Sequence, residues 1–267
     1  MKKLAIVAVA FAAVVFASCG GNKEQKNNES NDSIAKSFEQ EQIEENIKLQ
    51  LDSLAAGIGK LKQLPIVEKD GIITLTEQEK QVKPDFLLDP AIAENATTLS
   101  EKYRAIAALQ VDKQIALLYE MPVDEYDKAI TKLAADISDP AFKALEDEGD
   151  IFEASETLYN GMKANGRINY FWQIVASSLI EQLYITTQNS EKFLASFNDE
   201  AAENITFRII LLQDAIERLT VYDPEIEPIA EAIEPLETLN AISVSQLKEQ
   251  LEQVKEDLAV SRNNLLK

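Results

Sequence analysis

Carboxylates are the main chemistry this sequence has to offer. Of its 267 residues, 46 are Asp or Glu, 26 are Lys or Arg, and none is His. The missing histidine removes the usual general base near neutral pH, the Ser-His-Asp and Cys-His arrangements, and most zinc and iron sites. The Glu-x-x-His pairs that hold di-iron centres in helical bundles are equally impossible. Two options survive: glycoside hydrolysis by two acids about 5–10 Å apart across a cleft, and calcium held by oxygen ligands. The acidic run Glu146-Asp147-Glu148-Gly149-Asp150 fails as an EF-hand. With Gly149 at the turn, the first and twelfth ligands would be Ala144 and Ser155, and neither can serve. The run reads instead as a solvated helix face. No catalytic residue and no metal ligand set is assigned, and without a Gly-rich phosphate loop no cofactor is assigned either.

Proximity cannot single out a working acid among so many, but context can. Glu181 is the one acid in a strongly apolar segment, Ser-Ser-Leu-Ile-Glu-Gln-Leu-Tyr at 177–184. Arg208, inside Phe207-Arg208-Ile209-Ile210, is the corresponding lone cation on the next apolar helix. A buried Glu181–Arg208 ion pair is the expectation, a device that fixes register and is costly to break. A sharper reading makes Glu181 a perturbed acid lining a pocket with Tyr184 and Trp172. Full enclosure of Glu181 would end that reading. Tyr170, Phe171 and Trp172 fall at helical spacing in the same apolar segment and read as core rather than as a stacking platform.

One further residue has chemistry of its own. Cys19 is the sole cysteine, so no disulfide within the chain is possible. Before it stand Lys2 and Lys3, an unbroken apolar run from Leu4 to Phe16, and the small residues Ala17 and Ser18. Thirteen apolar residues suit an export signal and are too few to span a bilayer. The string Phe-Ala-Ser-Cys-Gly at 16–20 resembles the lipobox of bacterial lipoproteins, with Phe16 where that family usually carries Leu. The resemblance implies cleavage after Ser18 and acylation of Cys19. Each buried methylene contributes about 0.8 kcal/mol, so two or three acyl chains make an essentially permanent anchor in the lipid bilayer.

Cleavage would remove two of the 26 basic residues and none of the 46 acidic ones, leaving 24 against 46. So acidic a surface repels nucleic acid and anionic headgroups alike. Residues 20–33 contain no apolar side chain and read as a flexible tether reaching on the order of 20 Å. The domain order is therefore signal peptide 1–18, lipidated cysteine and tether 19–33, and one helical domain 34–267.

The elements that must position Glu181 and Arg208 are helices. Only eight Gly and eight Pro occur, and good helix formers dominate. The expected architecture is an all-α, elongated bundle of seven or eight helices. The first covers about 34–63 and is stopped by Pro65. Segment 66–88 is irregular, with a short extended stretch at Gly71 to Thr76. Asp89-Pro90 opens a helix reaching to about Glu120. Helices at 123–137 and 140–163 precede 168–188, which is apolar almost all round and hence central. Helix 199–221 neighbours it, three prolines break 224–241, and Ser243-x-x-Gln246 opens the last helix as a capping box. The first and last helices share a heptad-like seam and are expected to pack together.

Lys-Pro-Asp-Phe-Leu-Leu-Asp-Pro at 83–90, Pro-Val-Asp-Glu-Tyr at 122–126 and Leu-Ile-Glu-Gln-Leu-Tyr-Ile-Thr-Thr-Gln at 179–188 resemble stretches of uncharacterised helical lipoproteins of the Bacteroidetes. That resemblance implies a helical envelope protein, lipid-anchored at the outer membrane, and carries no activity with it. The functional expectation is a non-catalytic binding or scaffold module facing an envelope protein partner. The alternative is a carboxylate-based enzyme on envelope or dietary glycans.

Overall fold

Every regular element among the described residues is helical, as the dominance of Ala, Leu, Ile, Glu, Lys and Gln dictates. The computed structural model describes residues 38–58, 73–142 and 154–266, with side chains in the first helix from Glu45 onward. The signal segment, Cys19, the tether, Pro65 and the acidic run 146–150 lie outside the described residues.

The helices, in chain order, are α1 (Phe38–Ile58), α2 (Glu77–Gln81), α3 (Leu99–Leu118), α4 (Asp124–Ile137) and α5 (Ser155–Ala164). They continue as α6 (Ile168–Gln188), α7 (Ser190–Phe193), α8 (Asp199–Thr220), α9 (Glu227–Ile233) and α10 (Val244–Leu265). Ile73 to Thr76, the described part of the expected extended stretch, lead irregularly into α2 without forming a strand.

Local chemistry explains where the helices differ from the sequence expectation. Asp89-Pro90 starts only a 3-10 turn, Pro90–Glu94, in which the Asp89 carboxylate accepts the Ala91 N–H at 2.9 Å. The long helix begins anew at Thr98. There Glu101 accepts the N–H groups of Thr97 and Thr98 at 2.7 and 2.8 Å, while the Thr98 hydroxyl accepts the Glu101 N–H at 3.2 Å. This reciprocal box satisfies two orphan donors and outcompetes continuation from Pro90. After Asp139, Pro140–Phe142 form a 3-10 turn and α5 begins at Ser155; residues 143–153 of the expected helix 140–163 lie outside the described residues. At the last helix Ser243 accepts the Gln246 N–H, but the Gln246 carboxamide returns to Ile242 rather than to Ser243. Gly166, at φ +69°, closes α5 in the left-handed conformation that glycine adopts without strain.

Sixteen of the 21 residues of α6 are buried, which leaves it no solvent face and makes it the central helix. It packs most extensively against α3 and α10, and also meets α5, α8 and α9. One contiguous core runs from Leu51 to Leu266, with Leu109, Phe171, Trp172, Ile174 and Leu183 completely enclosed. A smaller cluster gathers Ile73 and Leu75 with Ile115, Ile185 and Phe193.

The expected pairing of first and last helices does not form. The α10 seam of Leu247, Leu251, Val254 and Leu258 is buried against α6 and α9, whereas α1 packs on α8 and α5. Polar contacts pin α1 there. Asp52 accepts the Tyr159 hydroxyl at 2.6 Å and the Lys163 ammonium, both from α5. Both helices carry an apolar stripe, and the stripe alone does not choose the partner.

At Gly161 in α5, an added Cβ would stand 2.9 Å from the Cβ of Ala141. Gly→Ala in a helix interior normally gains about 1 kcal/mol. Here Gly161→Ala should instead lower stability in urea unfolding by roughly 1–3 kcal/mol. Combining it with Ala141→Gly should recover most of that loss. A stabilised single variant would show that the close approach is not real.

Candidate functional site

Three helices contribute one line of buried polar groups. On α6 the residues Gln173, Ser177 and Glu181 step by four and lie on one stripe; on α3 the matching positions are Ser100, Arg104 and Asp112. Arg104 pairs with Gln173, and Asp112 lies by Glu181, so α3 and α6 run parallel. Leu265 meets Arg104, and Arg262 meets Glu181, so α10 runs the opposite way.

At one end Arg104 donates to the Leu265 carbonyl at 2.8 Å and to the Gln173 carboxamide oxygen at 3.1 Å. Gln173 donates on to the Ser100 hydroxyl at 3.3 Å, and Ser100 donates to Glu225. This chain satisfies a buried guanidinium whose pKa burial pushes down and whose charge Glu101 and Glu225 support. Ser177 stands between the two ends with its hydroxyl unbonded. The seam is therefore two clusters rather than one continuous network.

The other end gathers one guanidinium and two carboxyl groups in the interior. Arg262 donates from Nε to both Glu181 oxygens at 2.9 and 2.7 Å, and from Nη2 to Oε1 at 2.7 Å. The same Nη2 donates to the Phe86 carbonyl at 2.9 Å and stands 3.7 Å from Asp112 Oδ2. The guanidinium lies 4.2 Å above the Tyr184 ring, a favourable cation–π placement. Asp112 Oδ2 accepts the Leu88 N–H at 2.6 Å, and the Leu88 carbonyl accepts the Tyr126 hydroxyl at 2.8 Å. Asp112, Glu181 and Arg262 are 0, 1 and 7 % exposed, so water does not share the load.

Two carboxyl groups and one guanidinium leave a buried excess of one negative charge unless a proton stays. Burial pushes the Asp112 carboxyl well above the usual range, and the Glu181 charge beside it pushes the same way. Arg262 and the Leu88 N–H oppose this without cancelling it. A side-chain hydrogen bond between Asp112 and Glu181 adds to the upward push, so a proton held on Asp112 would bridge the two acids, while Asp112 Oδ1 has no partner. The arrangement is a three-helix clamp: α3, α6 and α10 close on one charge cluster, and Phe86 and Leu88 attach the preceding loop to it.

Glu181 and Arg208, the two residues singled out from sequence, are both enclosed at 1 % exposure. Their expected pairing is corrected. The carboxylate of Glu181 is taken by Arg262, while Arg208 lies on α8 with interactions of its own. The stripe of α6 that bears Glu181 faces α3 and α10, and α10 places its only seam cation opposite it. Enclosure also ends the pocket reading, since neither Glu181 nor Trp172 is open to a substrate. Asp112 and Arg262 escaped the sequence reading, yet a signal existed. Arg262 continues the α10 seam four residues after Leu258 and three before Leu265, and Asp112 lies three residues after Leu109 and three before Ile115. A charge on an apolar stripe marks a buried charge.

A second cluster anchors the 137–167 region. Asp139 accepts the Tyr103 hydroxyl at 2.8 Å and the Asn165 side-chain N–H and Ala141 backbone N–H at 3.0 Å each. Arg167 donates to Tyr103 and to the Ile137 carbonyl at 3.1 Å. Burial and the Asp139 charge push the Tyr103 phenol far above its usual range, so it serves as a structural donor. Among the described residues no group of three or more His, Cys, Asp or Glu comes together to hold a metal ion.

Removing the cation should be severe. Arg262→Met leaves Glu181 charged and unpaired in the core, a loss of about 3–5 kcal/mol in chemical unfolding. A loss below about 1 kcal/mol would mean that the cluster is not closed to water. The Asp112 proton adds a pH signature. Because its folded pKa is raised, its stabilising contribution is complete below the unfolded value of about 4 and is lost as pH climbs toward the folded value. Asn supplies a donor to Glu181 at every pH. The stability difference between Asp112→Asn and wild type should therefore shift in favour of Asn from pH 4 upward, and a pH-independent difference would refute the bridging proton.

Compared with protein-family models, curated proteins and solved structures, the chain finds no match in any of the three.

Proposed function

We propose that this chain is an envelope lipoprotein whose helical body is a non-catalytic binding or scaffold module, held at the outer membrane by acyl chains on Cys19. One observation carries the non-catalytic part: the acids drawn into the apolar core, Asp112 and Glu181, are sealed from solvent at 0 and 1 % exposure. Glycoside chemistry needs two acids that a sugar can reach, and these two are spent on clamping α10. The buried polar groups thus support a rigid body, and the exterior is what a partner meets.

The lipobox-like string at Cys19 and the resemblance to helical Bacteroidetes lipoproteins support the address. No helix among the described residues is long and apolar enough to cross a membrane. In this reading the attachment belongs to the acyl chains alone. The balance of 46 acids against 26 bases keeps the body off anionic headgroups and free to meet an envelope protein.

Cell fractionation tests the anchor. Wild type should sediment with membranes and Cys19→Ala should not; membrane residence of Cys19→Ala would overturn the anchoring. Crosslinking in intact cells tests the module. A dominant protein partner should persist when residues 20–33 are scrambled and vanish when the helical body is deleted. Release of reducing sugar from envelope polysaccharide by the purified chain would overturn the non-catalytic reading.

A further inference from the structure

Helix α8 turns an unusually ordered face to solvent. Glu200, Glu203, Phe207, Ile210, Asp214 and Glu217 follow one another by three and four residues, and Val221 continues the series. This is the spacing of a heptad seam. Its middle is apolar and open, with Phe207 and Ile210 at 49 and 52 % exposure, and Val221, just past the helix end, is 74 % exposed. Acids occupy the seam on either side of that middle. Asp214 is paired with Arg218 at 2.8 Å, whereas no side-chain hydrogen bond or ion pair among the described residues uses the carboxylate of Glu203 or Glu217.

The ridge has walls. On one side α1 packs along α8, Gly57 lying against Leu211 and Gln50 bonding Arg218. On the other side the Thr206 hydroxyl donates to the Ala241 carbonyl at 2.8 Å, which holds the segment before α10 against α8, and Ile242 next to it is 63 % exposed. Burying such side chains is favourable by about 25 cal/mol per Å², which favours a partner that covers them.

We propose that the outer face of α8 docks a partner helix with apolar side chains at its centre and lysine or arginine one to two turns to either side. This rests on the binding-module reading and gives the partner its chemistry. Seam spacing selects a helix, because apolar groups three and four residues apart are read by another helix at the same pitch. The flanking carboxylates select the charge. A second copy of this chain is disfavoured in either orientation. Parallel pairing sets each acid against itself, and antiparallel pairing sets Glu200 and Glu203 against Asp214 and Glu217. An anionic membrane surface is repelled for the same reason.

The test uses the full-length chain in detergent micelles and a labelled 21-residue helical peptide. Leucines occupy the two central seam positions of the peptide and lysines the flanking ones; a twin carries glutamates in place of the lysines. Fluorescence anisotropy should show saturable binding of the lysine peptide, at least tenfold tighter than the twin and weakening as sodium chloride is added. The double substitution Phe207→Glu with Ile210→Glu should cost at least a further tenfold while the circular-dichroism melt stays unchanged, both side chains being exposed. Equal binding of the two peptides, or full binding by the folded double variant, would overturn the proposal. A photo-crosslinking residue placed in intact cells at Ile210, and separately at Lys128 on α4, separates the two levels. A dominant partner captured only from position 128 overturns this face and leaves the binding-module reading standing. Capture from neither position overturns both.

Discussion

A guanidinium held between two carboxyl groups decides how the three most heavily packed helices meet. Arg262 cannot stay buried without Glu181, and burial together with the Glu181 charge pushes the Asp112 carboxyl well up. Each condition fixes a distance between two helices, and together they set the register of α3, α6 and α10. The apolar contacts of the core are many but forgiving, since one leucine fits a groove nearly as well as another. A bidentate arginine does not slide. The same clamp reaches outward through the Phe86 and Leu88 backbone to Tyr126. A stretch lacking regular structure is thereby tied to the helix that carries the C-terminal seam.

The rest of the molecule follows from having one helix with no outside. Because α6 is buried nearly all round, its carboxylate and the Gln173 carboxamide take partners from neighbouring helices. Thr186 and Thr187 bond its own carbonyls, while the Ser177, Ser178 and Gln182 side chains stay unbonded. Gln173 finds Arg104 and Glu181 finds Arg262, which divides the polar work between α3 and α10. Tyr103 adds a link of a different kind, stacking on Tyr170 at 4.7 Å while its hydroxyl serves Asp139. The aromatic residues at the start of α6 are thus committed to structure: Phe171 meets Tyr159 edge-on and packs at right angles to Trp172. With the interior acids and aromatics engaged in this way, the proposed binding role falls to the exterior, where Phe207 and Ile210 of α8 stand exposed.

Much of the architecture was legible in the residues alone. Composition and three/four spacing identify an all-helical chain, its central helix at 168–188 and the proline-broken segment after 224, because burial of an apolar stripe is a local, periodic demand. Both Glu181 and Arg208 stand out as charges with apolar neighbours, and both are buried. The Thr98-x-x-Glu101 box shows the limit of reading one signal at a time. It competes with Asp89-Pro90 a few residues earlier and wins by satisfying two backbone donors where Asp89 satisfies one.

By itself, then, the sequence determined that the chain is helical, which faces seek the core, and that Glu181 and Arg208 are enclosed, but it did not single out Arg104, Asp112 or Arg262. The tertiary structure alone decided the partners. An apolar stripe records that a face is buried and not against what, so α1 lies on α8 and α5 rather than on α10. A buried carboxylate requires a cation and is indifferent to its place in the chain, so Glu181 is met by Arg262 from 81 residues away and not by Arg208. The upward push on the Asp112 carboxyl belongs to the same class. It arises from two acids brought together in the absence of water, a circumstance that exists only once α3 and α6 are packed side by side.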